Sequence, residues 1–141
     1  MLNEAQRRSL SITLRIIEQS LDEIIGLDEK EGPHNGILYR IENNLSATTR
    51  EELHAQTQLI RERIASLAAQ FNLESDERTL RRIAEAKLNY CWEILQKADA
   101  RGLRAYGPVS TGLDEALDPH IAALMELIVR LLHYLEGQST D

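Results

Sequence analysis

Glu51 and His54 stand three residues apart, the Glu-x-x-His spacing that places a carboxylate and an imidazole on one face of a helix. Helical bundles use two such pairs, with further carboxylates from other helices, to hold a di-iron or di-manganese centre. Neither His120 nor His133 has a glutamate three residues before it. Glu51 and His54 are therefore weak metal candidates, and a surface or capping role for His54 is the plainer reading. Neither a metal nor a cofactor is expected.

A second constellation is set by position rather than spacing. His34, Tyr39 and Arg40 lie in one turn-rich link, with Asn35 beside them, and Arg101, Arg104 and Tyr106 lie in another, followed by Asp114. Guanidinium groups grip carboxylates and phosphates through forked hydrogen bonds, so these residues are candidates for an anion site. The competing reading is structural: arginines tied to helix-end carbonyls and tyrosines packed on loops. Cys91 sits mid-helix beside Trp92, with no neighbouring cation or helix N-terminus to make a thiolate, and reads as a small core residue. The chain shows no nucleophile elbow, phosphate-cradling glycine loop or zinc-type cysteine pair.

The elements that must position these groups read as helices. Asn3 and Gln6 form a capping-box spacing, and Leu10, Leu14, Ile17, Leu21 and Ile24 alternate by four and three over a helix of about 3–31. Ile12, Ile16 and Ile25 widen that stripe, which suits a bundle of several helices. Gly32-Pro33 ends it. The run from Gly36 to Leu45 fits a helical turn or an ordered loop, since no second strand is evident for it. A second helix over 48–72, capped by Thr48 or Thr49, turns Leu53, Thr57, Ile60, Ile64, Leu67 and Phe71 inward. A short link then leads to a third helix over 76–102 with Ser75 as its cap. Leu113–Leu117 suggests a separate short turn. Asp118-Pro119 reads as cap and first position of a last helix over 118–136.

That last helix is apolar on nearly every side. Only Glu126, Arg130 and His133 are strongly polar, so neighbours or a second copy are expected to enclose it.

The 141 residues are expected to form a single domain, an all-α, antiparallel, up-down-up-down four-helix bundle with one short extra segment between the first two helices. In that topology the two long links, 32–45 and 103–114, share one end. A net charge of −7, with arginines interleaved with glutamates, argues against nucleic acid and anionic membranes as partners. One cysteine and no signal sequence in the first 20 residues point to a reducing cytoplasm. The surplus of apolar helix surface suggests a homodimer, or another helical protein as partner. The expected function is a non-enzymatic interaction or regulatory module. The alternative is a bundle that binds a small anion or metal at the end formed by the two links.

Overall fold

A computed structural model describes residues 1–30 and 34–138. The fold is all-α: α1 (Glu4–Glu29), α2 (Ala47–Gln70), α3 (Leu80–Leu95), α4 (Ala100–Leu103) and α5 (Leu113–Gly137), with a 3₁₀ turn at Arg104–Tyr106. Two two-residue strands, β1 (His34–Asn35) and β2 (Arg40–Ile41), interrupt the helices. No helix among the described residues is long and apolar enough to cross a membrane. The chain divides into two compact units, Met1–Ser75 and Asp76–Asp141.

In the first unit, α1 starts where its capping box puts it. Asn3 Oδ1 accepts from the Gln6 amide at 2.8 Å, and Gln6 Oε1 accepts from the Asn3 amide at 2.9 Å. Helix α2 is capped two or three residues earlier than the Thr48 or Thr49 reading. Its N-cap is Ser46, whose hydroxyl accepts from the Thr49 amide at 3.2 Å. Asp28, near the end of α1, pairs with Arg50 and His54 near the start of α2, while Asp22 pairs with Arg61 further along. The two helices therefore run antiparallel. Leu10, Leu14, Leu21 and Ile25 of α1 face Leu53, Thr57, Ile64 and Leu67 of α2 as the half-buried or buried positions. Ile60, expected inward, is 41% exposed.

The segment between these helices is a miniature antiparallel hairpin, with His34 opposite Ile41 and Asn35 opposite Arg40. A helical turn or unpaired loop is not what forms: the partner strand for Arg40–Ile41 comes from the same run, across the 36–39 turn. The Gly36 amide donates to the Tyr39 carbonyl at 2.9 Å. A Cβ on Gly36 would meet the Tyr39 ring, which would have to shift to admit it. The expected terminator Gly32-Pro33 lies outside the described residues, as does the end of the chain after Gln138.

In the second unit α3 and α5 pack side by side. Arg81, in the first turn of α3, donates to the Gln138 carbonyl just after α5 at 2.8 Å, so these helices too run antiparallel. The expected helix 76–102 is two pieces. Helix α3 starts later, with Thr79 as its cap, and stops at Leu95. After it the chain turns sharply enough that a Cβ on Gly102 would run into the Lys97 carbonyl. Asp99 restarts the helix, its carboxylate accepting from the Gly102 amide at 2.8 Å. The last helix starts earlier than Asp118: α5 is continuous from Leu113, capped by Gly112 at φ 86°, and Pro119 lies inside it. Asp118 is spent elsewhere, accepting from the Ala100 amide at 2.9 Å. Two carboxylates thus satisfy two of the orphan amides at the start of α4, and Ala100 is 5% exposed.

Candidate functional site

The 103–114 link builds a cleft in the second unit, about 770 Å³ in volume. Its walls include Arg101, Arg104, Ser110, Thr111, Asp114 and Asp118. Glycines shape the walls: Gly107 at φ 145° and Gly112 at φ 86° hold conformations that a side chain disfavours. Arg101, Arg104 and Asp114 are exposed, and none of them makes an ion pair with another described residue. Gly112 offers the start of α5 no side-chain cap, so backbone donors stand near the cleft as well. Two of the sequence candidates, Arg101 and Arg104, are therefore brought to one cavity. Tyr106 is exposed and is not part of its lining.

The other candidates belong to the first unit. Arg40 pairs with Asn35 across the hairpin, and His34 is described through its backbone pairing with Ile41. Tyr39 covers Gly36, and the turn it closes holds Ile37 and Leu38 almost fully exposed.

His54 has a partner that sequence spacing did not name. Asp28 is buried, and its carboxylate collects three donors. Asn43 Nδ2 and Arg50 Nε reach Oδ1, each at 2.8 Å, and His54 Nε2 reaches Oδ2 at 2.7 Å. Arg50 also donates through its second arm to the Asp28 carbonyl at 3.2 Å, satisfying a helix-end acceptor. An ionised carboxylate only accepts, so Nε2 is the protonated nitrogen in this contact. The hydrogen bonds from His54, then from Asn43, hold the Asp28 pKa down to about 2, with Arg50 adding to the effect and burial opposing it. Glu51 takes no part in this cluster, and no group of three or more His, Cys, Asp or Glu side chains among the described residues is placed to hold a metal ion. No Ser, Thr or Cys side chain among the described residues is hydrogen-bonded to His54. What the cluster does is fix the return of the chain from α1 to α2. A signal for it existed: Asp28 continues the seven-residue interval of Leu14 and Leu21, a carboxylate on an inward stripe.

The apolar surface is the third feature. On α5, Ile121, Met125, Ile128, Leu132 and Leu135 are half-buried, whereas Leu124, Leu127, Leu131 and Tyr134 stay exposed. The helix is thus packed along one apolar face and bare along another, rather than enclosed on all sides. Glu126 and Arg130 pair with each other at 3.0 Å on an exposed edge. In α1, Ile12, Ile16, Ile17, Ile24 and Leu27 are likewise exposed beside the packed stripe. Cys91 lies half-buried on α3.

Searches of protein-family models, of curated proteins and of solved structures found no match to this chain.

Proposed function

We propose that this protein is a non-enzymatic interaction or regulatory module that self-associates through apolar helix faces. The observation that carries the reading is the second apolar face on helices that already have one packed face. Leaving a large aliphatic side chain in water forgoes about 1.5–3 kcal/mol each. Ile12, Ile16, Leu124, Leu127 and Leu131 are all exposed, and no large side chain among the described residues is fully buried. A helical hairpin with such a face is half of an antiparallel four-helix bundle, the arrangement that covers it with least irregularity. Sedimentation velocity of the full chain at micromolar concentration tests this reading. A dimer is the expected species, and a monomer at 50 µM would overturn the reading.

A second reading rests on the cleft. Arg101 and Arg104 line one cavity without an ionic partner among the described residues, together with the hydroxyls of Ser110 and Thr111, and share it with Asp114 and with Asp118, which is bonded to the Ala100 amide. That set suits a small anion with carboxylate or phosphate oxygens. A thermal-shift series with inorganic phosphate and small carboxylates tests it. Stabilisation that is lost in Arg101→Gln and Arg104→Gln supports binding, and no shift at millimolar anion sinks it.

A further inference from the structure

We infer that a second copy of this chain covers the face shared by α3 and α5, so that two α3–α5 hairpins close into a two-fold four-helix arrangement. This rests on the self-association reading and adds to it the surface and the partner.

Leu124, Leu127, Leu131 and Tyr134 are spaced by three, four and three, the interval at which one helix offers a straight seam to another. At 3.6 residues per turn, the centre of this seam lies roughly 110° around α5 from the packed face centred on Ile121, Met125 and Leu132. On α3 the packed side carries Ala84, Leu88, Cys91 and Leu95, while Leu80, Tyr90 and Ile94 are exposed. That exposed stripe lies roughly 100° from the packed one, in the same rotational sense counted along the chain. Because α3 and α5 are antiparallel, equal rotations counted along each chain carry both stripes to the same side of the hairpin. One side of the hairpin therefore carries apolar side chains of both helices, interrupted on α3 by the exposed Lys87.

The size and charge of this face suit a second copy. Its seven residues are between 46% and 79% exposed. Taking on the order of 200 Å² for each fully exposed side chain, they offer roughly 800 Å², one partner's share of a standard stable interface. The same angular count places no aspartate or glutamate of α3 or α5 on either stripe, although the whole chain carries −7. Repulsion between acidic side chains is thus kept off the surface that would meet its own image, and Lys87 is the charged residue within the α3 stripe. A face two helices wide is matched by another of the same width, and a two-fold axis brings together the same patch on both copies.

Sedimentation equilibrium of the full chain, of Leu127→Glu and Leu131→Glu, and of Leu59→Glu on α2 as a control, tests the assignment. Each α5 substitution places two carboxylates in the interface, so the dimer is expected to weaken roughly 100-fold or more. The Leu59→Glu dimer is expected to stay within about threefold of wild type. Circular dichroism keeps loss of folding apart from loss of association. A photo-crosslinker at position 127 gives a second readout, expected to join residues 80–137 of two copies. A wild-type dimer unmoved by the α5 substitutions, or crosslinked through residues 1–75, overturns this inference alone. A wild-type monomer overturns both the inference and the reading beneath it. Crosslinks confined within one chain would then assign the face to the chain's own segments.

Discussion

His54 Nε2 lies 2.7 Å from Asp28 Oδ2, and this contact ties the end of α1 to the second turn of α2. It joins residues 26 apart in sequence around a buried carboxylate. Its first consequence is a pH dependence with a definite sign. The folded pKa of Asp28, about 2, is below the unfolded value of about 3.9. Folding therefore favours the ionised form. The stabilisation is fully present above about pH 5 and is lost as the pH falls through 4 towards 2. Urea unfolding across that range should show the loss, and Asp28→Asn should flatten it.

Removing a donor from this cluster tests its structural role. His54→Ala and Arg50→Ala each leave a buried carboxylate oxygen short of a partner, so both should lower the melting temperature. A glutamine at position 54 can still donate and should recover part of the loss. Equal melting temperatures for all three variants and wild type would show that the cluster contributes nothing.

Two glycines should respond to alanine in opposite directions. At Gly102 a Cβ meets the Lys97 carbonyl, which is main chain and cannot swing aside. Gly102→Ala should cost on the order of 1–3 kcal/mol. At Gly26, inside α1, nothing lies within 4 Å of the added atom. Gly26→Ala should stabilise by about 0.5–1 kcal/mol. Chemical denaturation of the two variants reads both signs.

Asp118 caps a helix other than its own. Losing its bond to the Ala100 amide in Asp118→Ala should cost about 1 kcal/mol, while Asp118→Asn keeps an acceptor and should cost less. Amide hydrogen exchange at Ala100 gives the local readout, with faster exchange expected in Asp118→Ala alone.

The Glu126–Arg130 pair should matter little. Both side chains are well exposed, and the pair is one helical turn long. Glu126→Gln should change stability by no more than about 0.5 kcal/mol, with an effect that fades in salt. A larger change would mean that this edge is covered in solution.

The helices were legible where their causes are local. Asn3 and Gln6 close the capping box that their spacing predicts. Leu10, Leu14 and Leu21 sit on the packed side of α1, and Leu53, Ile64 and Leu67 on that of α2. Misplaced boundaries occurred where a polar side chain had two possible clients. Asp118-Pro119 has the local form of a helix start, but the Asp118 carboxylate serves Ala100, 18 residues away. Ser75 has the form of a cap, yet Thr79 performs that role, and the break after Leu95 depends on the tight approach of Gly102 to Lys97. The 34–41 hairpin escaped notice because each strand is two residues long and carries no periodicity.

From the sequence alone came the helical class, the apolar stripes and the excess of greasy positions on the last helix, because one-turn hydrogen bonds and side-chain periodicity are properties of neighbouring residues. Only the tertiary structure decided which stripe is packed and which is bare. It also showed that Asp28 gathers Asn43, Arg50 and His54, and that Arg101 and Arg104 line one cleft. Those outcomes depend on which distant segments approach each other. A helix with two apolar faces does not specify which one its partner will cover, and an arginine in a loop does not specify the wall it will join.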